Sequence, residues 1–200
     1  PAVRPRPAVS QSTAQVVMTR PGGTTPLLAR EVPDSLCAQT ASELAVLLRS
    51  RAISASEVLE AHLDRITAVN PKINALVTLD AEKAMDHARA LDDQAAQGRF
   101  AGPLHGIPVA IKDIFATQGM RTTFGSRTMA DHVPEQDNIH VARLRAAGAI
   151  ILGKTNTSEF AYGAQTTNPI FHVTRNPHDP TRTVSGSSGG AAAALAAGLT

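Results

Sequence analysis

The chain has 200 residues, 42% of them hydrophobic and 18% charged, which are ordinary values for one globular domain; aromatic residues make up only 3% and Trp is absent. Its net charge of +2 arises at the start, where Arg4, Arg6, Arg20 and Arg30 stand without acids, leaving 15 basic against 17 acidic residues in the rest. A basic tail without interleaved aromatic residues, on a near-neutral body, excludes a nucleic-acid-binding surface. The longest run of small apolar residues, Ala191 to Leu199, is too short to span a bilayer.

Residues 1–33, rich in Arg, Ser, Thr and Pro, read as a disordered or spurious extension ahead of a domain over residues 34–200, with Met18 a natural start. A transit peptide is the competing reading of that composition. Cys37 stands alone, so no internal disulfide forms, and a reducing, cytoplasmic setting is expected. Thr40-Ala-Ser-Glu43 reads as a capping box leading into Leu44, Val46, Leu47 and Leu48. Ser54-Ala-Ser-Glu57 opens a longer helix with Leu59, Leu63, Ile66 and Val69 on one face, closed by Asn70-Pro71. Alternation from Ile73 to Leu79 predicts a strand, after which Asp80 caps an alanine-rich helix to about Gly98. Ile107 to Lys112 predicts a buried strand with a proline at its start, and His140 to Ala147 a helix. Ala149 to Leu152 predicts another buried strand, Asn176 to Pro180 a loop, and Gly189 to Gly198 a helix. This order predicts an α/β fold with a mixed, largely parallel sheet flanked by helices. A further strand is expected after the last helix, so the sequence reads as the N-terminal portion of a domain truncated at its C-terminus.

Gly148 to Thr155 matches the phosphate-loop pattern G-x-x-x-x-G-K-[ST] letter for letter. That pattern requires a flexible loop after a strand, whereas Ala149 to Leu152 are themselves the strand. The match is accidental. Ser185 to Gly190 is more informative, because it puts hydroxyls and bare backbone N–H groups at a helix N-terminus. A loop that merely caps the helix explains the same letters. Lys112 ends a strand that otherwise reads as buried; such a lysine either snorkels to solvent or, if desolvated, becomes a neutral base.

Taken together, "HGIPVAIKD", "GAIILGKTNTSEFAYG" and "SGSSGGAAAALAAG" closely resemble the amidase signature family, over roughly residues 36 to 200 and including "NPKINALVTLD". The resemblance implies a Ser–Ser–Lys triad with Lys112 as the base and Ser187 as the bridging serine, preceded by a cis peptide bond. Ser188 becomes a supporting hydroxyl, and no metal or organic cofactor is used. It also implies a small-molecule amide substrate, cleaved to acid plus amine or ammonia through an acyl-enzyme. The family's attacking serine and oxyanion-hole glycines are expected past Thr200, so the 200-residue chain by itself is expected to be inactive. Two departures stand out: Ser185 replaces a usual glycine, and His178 replaces a usual tryptophan. The histidines, His62, His87, His105 and His132 among them, lack metal-ligand spacing and read as ordinary. Two alternatives remain open: the A subunit of a tRNA-dependent amidotransferase, and a non-catalytic fragment acting as a binding module. Neither a membrane nor a nucleic-acid partner is expected, and a homo-oligomer is compatible with the sequence.

Overall fold

The computed structural model describes residues 36–200; the extension expected over residues 1–33 lies outside them. Both capping boxes form. Thr40 Oγ1 accepts from Glu43 N–H at the start of α1 (Ala41–Arg49), and Ser54 does the same for Glu57 at the start of α2 (Ala55–Ile73), with the glutamate side chain returning to the cap backbone each time.

The helix does not close at Asn70-Pro71. Pro71 sits inside the last turn of α2, and the stop comes at Asn74, whose left-handed backbone (φ 53°, ψ 48°) sends its N–H to Asn70 O at 2.7 Å. A proline inside a helix loses the bond its own N–H would have made, and its ring crowds the carbonyl four residues back. Here Asn70 Oδ1 takes over the exit by accepting from Ala75 and Leu76 N–H, both at 2.9 Å. The following strand, β1, is therefore Leu76–Leu79, beginning three residues later than the alternation suggests. Asp80 caps α3 (Ala81–Ala96) as expected.

Three strands form the main sheet in the order β1-β3-β2, with β2 (Pro108–Lys112) parallel and β1 antiparallel to the central β3 (Ile150–Thr155). The sheet is mixed, with one pairing of each kind among the described residues. Strand β3 runs three residues past Leu152, and all six of its residues are buried. Ile150 and Leu152 join the larger core with Leu59, Ile66 and Leu91, while Ile151 faces a smaller cluster with Ile111, Met120 and Val141. Val141 belongs to α4 (Ile139–Ala146), so helices cover both faces of the sheet. The expected loop at Asn176 to Pro180 is instead the tip of a hairpin, β4 (Arg175–Asn176) with β5 (Asp179–Thr183), and its His178 is exposed. Helix α5 (Gly189–Ala196) returns Ala193 and Ala194 to the larger core.

The phosphate-loop lookalike is strand throughout its second half. Lys154 is fully buried and donates to Phe115 O at 2.6 Å, Thr122 Oγ1 at 2.8 Å and Thr117 Oγ1 at 2.9 Å. An ammonium engaged by three internal acceptors has nothing left for a phosphate.

Candidate active site

Lys112 closes β2, in register with Thr155 of β3, and the chain beyond it turns back sharply. Asp113, with no exposed surface, anchors that turn: its N–H donates to Thr155 O at 3.0 Å and its carboxylate accepts from Thr123 N–H and the Thr123 hydroxyl. Burial pushes the Asp113 carboxyl up from its ordinary value, against the Thr123 hydrogen bonds and the more distant Lys154 charge. Lys154 grips the far side of the same turn through Phe115, Thr117 and Thr122.

Facing Lys112 is the segment from Ser185 to Ser188, just before α5. Lys112 Nζ lies 2.8 Å from Ser187 Oγ and 2.8 Å from Ser188 Oγ. Lys112 and Ser187 are half-buried and Ser188 is exposed. Burial lowers the Lys112 pKa from its ordinary value. The peptide bond Gly186–Ser187 is cis. The three residues singled out in the sequence are thus brought together, with the lysine pointing at the serines rather than into solvent.

The glycines after Ser188 are required by close approach. A Cβ on Gly190 would lie 2.4 Å from Asn156 O and 2.5 Å from Asn156 N, and one on Gly189 would lie 2.4 Å from Thr166 Oγ1. Any side chain there would lift the start of α5 off the loop beneath it.

That loop, Asn156 to Ser158, is a polar floor whose role the sequence reading missed. Asn156 is fully buried and satisfied on both sides of its amide: Oδ1 accepts from Thr157 N–H and Asn168 Nδ2, and Nδ2 donates to His172 O and Thr174 Oγ1. Thr174 Oγ1 donates onward to Asn74 O at 2.7 Å. The available signal was a run of small uncharged polar residues, Asn156 to Ser158, directly after a buried strand. Polar groups carried into an interior must find internal partners.

A cavity of about 750 Å³ lies beside β2 and α5 and is lined by Val109, Ala110, Thr155, Ala191, Leu195 and Thr200 among others, but not by Lys112 or the two serines. Of the histidines, His62 is buried with Nδ1 2.8 Å from Val58 O, and burial lowers its pKa. No group of three or more His, Cys, Asp or Glu among the described residues could hold a metal ion. Nor is any described helix long and apolar enough to cross a membrane.

Residues 57–200 match the protein-family model described as Amidase. A lysine at a strand end facing paired serines at a helix start accompanies that match, and the chain belongs to the amidase signature family. It is 50% identical over 162 residues to the A subunit of the glutamyl-tRNA(Gln) amidotransferase of Acidothermus cellulolyticus, covering 81% of this chain and 32% of that protein. Among solved structures it is similar to 6-aminohexanoate cyclic dimer hydrolase, with a TM-score of 0.75 and 38% identity over 83% of this chain and 33% of that one. A bacterial aryl acylamidase of the amidase signature family aligns with a TM-score of 0.78 and 32% identity, covering 81% of this chain and 34% of that one. The chain therefore spans about a third of the length of the relatives it matches.

Proposed function

We propose that this chain supplies the base and the proton relay of an amide hydrolase. The observation that carries this is the contact of Lys112 Nζ with both Ser187 Oγ and Ser188 Oγ at 2.8 Å. As a neutral amine, Lys112 donates to Ser188 and keeps a lone pair for the Ser187 hydroxyl proton. Ser187, having given up its proton, takes one from the attacking serine, which the family pattern puts after residue 200. That serine oxygen adds to the amide carbon. The relay then runs backwards, the leaving nitrogen gains the proton, the C–N bond breaks, and water later cleaves the acyl-serine ester. Ser188 holds the amine in line without joining the transfer.

The desolvation that lowers the Lys112 pKa favours this scheme, since only the unprotonated amine is a base. The pH dependence follows with a definite sign: activity falls as pH drops through the lowered Lys112 pKa. The test measures amine or ammonia release by the protein that carries this segment, beside Lys112→Ala and Ser187→Ala. Loss of a general base costs about 10²–10⁴-fold; a Lys112→Ala protein that folds and keeps its rate refutes the scheme.

One observation favours a more particular setting. Identity to the amidotransferase A subunit is 50% over 162 residues. In that setting the same chemistry releases ammonia from an amide for transfer by partner subunits. Stable co-purification with partner subunits, with ammonia release dependent on them, supports it; full hydrolysis by the isolated protein assigns the stand-alone amidase.

A further inference from the structure

The segment Ser185 to Ser188 belongs to no strand or helix of its own, apart from one isolated bridge between Ser185 and Gln165. Its shape is held by two threonine hydroxyls from the chain beneath it. Thr157 Oγ1 donates to Ser187 O at 3.0 Å. Thr166 Oγ1 donates to Ser185 O at 2.9 Å and accepts from Gly189 N–H at 2.9 Å, bridging the two ends of the segment with a single hydroxyl. Both threonines are fully buried.

Neither hydroxyl is free to wander. Thr157 is fixed by its N–H to Asn156 Oδ1 at 3.0 Å and by its carbonyl, which accepts from Asn168 Nδ2 at 2.8 Å. Thr166 O accepts from Thr174 N–H at 2.9 Å. Thr174 and Asn156 are joined in turn through the Asn156 side chain. The two threonines therefore stand on one hydrogen-bonded platform, and the bare Cα of Gly189 lets Thr166 come close enough to reach both ends.

From this we infer that Thr157 and Thr166 are positioning residues of the site, a two-hydroxyl clamp that holds Ser187 and Ser188 against Lys112. The inference rests on the relay proposed for Lys112 and Ser187, and it concerns residues that touch neither substrate nor proton. The Ser187 carbonyl is the peptide between the two serines, so one bond from Thr157 orients both side chains. Thr166 sets the spacing of the segment's ends. If the clamp loosens, the serines swing, water reaches the Lys112 amine, and the ammonium form regains its advantage.

Valine is nearly isosteric with threonine and equally β-branched, so Thr157→Val and Thr166→Val delete the hydroxyl and little else, while Thr157→Ser and Thr166→Ser retain it. The readout is competitive acetylation of the chain with acetic anhydride over a pH series, with each lysine followed by mass spectrometry and the exposed Lys72 as internal reference. In the wild-type chain Lys112 reacts at lower pH than Lys72. Thr157→Val loses about fivefold of that lead, the population change that one net hydrogen bond supports. Thr166→Val, which deletes two bonds, loses at least as much, and each serine variant restores it with unchanged circular dichroism.

Folded valine variants with the wild-type profile overturn the inference. Unfolding of both valine variants also overturns it, by assigning the hydroxyls to the fold alone. A wild-type Lys112 that follows Lys72 defeats the relay proposal itself. Loss of the lead only in the valine variants, with serine rescue, supports the clamp.

Discussion

Replacing Lys154 by methionine removes a buried charge while nearly keeping its volume, and two opposing effects can be worked out. Lys154 has no exposed surface, and none of its three hydrogen-bond acceptors is an anion. Burial therefore pushes its pKa down to about 8 from the ordinary 10.5, against the weaker pull of Asp113 and Asp137. In the unfolded chain the proton stays on until about pH 10.5. Between about 8 and 10.5 the unfolded state thus binds more protons than the folded one, and this group makes stability rise with pH across that window. A difference of about 2.5 in pKa is worth roughly 3 kcal/mol, the full penalty being felt below about pH 8. Lys154→Met abolishes that penalty and loses three hydrogen bonds. The acceptors are not orphaned, because Thr117 still donates to Phe115 O and Thr122 to Met120 O. At about 1 kcal/mol each, the lost bonds also cost roughly 3 kcal/mol. The variant is thus expected to match the wild type within about 1 kcal/mol near pH 7, and to be less stable by roughly 3 kcal/mol near pH 10.5. Urea denaturation of both chains at the two pH values measures this. Stability differences that stay equal at both pH values refute the desolvation account of Lys154.

Gly190→Ala drives a Cβ into the Asn156 backbone at 2.4–2.5 Å. It should cost at least about 1–3 kcal/mol in urea denaturation, the usual penalty of overpacking, and should abolish the early acetylation of Lys112. Asn156→Asp turns the donor facing His172 O and Thr174 Oγ1 into an acceptor, while the Thr174 hydroxyl proton is already committed to Asn74 O. A loss of about 3 kcal/mol or more is expected at neutral pH, shrinking as pH falls and the carboxyl is protonated; a loss independent of pH would contradict this. Thr40→Ala removes the side-chain half of the first capping box and should lower stability by about 1 kcal/mol, read as a lower thermal midpoint.

Local features were legible in the sequence because their partners are close along the chain. A capping box needs only residues three apart, and both boxes formed at Thr40 and Ser54. The apolar face of α2 was read from its period: Leu59 and Ile66 are buried, and Leu63 and Val69 pack against the same core. The strand boundary after α2 was misread at Pro71. Whether a proline ends a helix or sits in its last turn depends on what receives the exposed backbone groups, here the Asn70 side chain and the left-handed Asn74.

The sequence, through its resemblance to a known family, determined which residues to bring together: a lysine ending a buried strand, and paired serines ahead of a glycine-started helix. Those identities are chemical and do not depend on packing. Only the tertiary structure decided that Lys112 Nζ meets two hydroxyls 75 and 76 residues away, rather than turning to water. It alone decided that Lys154 holds its charge inside the fold, and that Asn156, Thr157 and Thr166 form the floor beneath the serines. The physical reason is that desolvation and hydrogen-bond satisfaction are properties of an enclosed volume. Thr174 and Asn74, for example, meet across 100 residues of sequence. No local pattern of letters records what closes around a buried polar group; the packing of distant segments does.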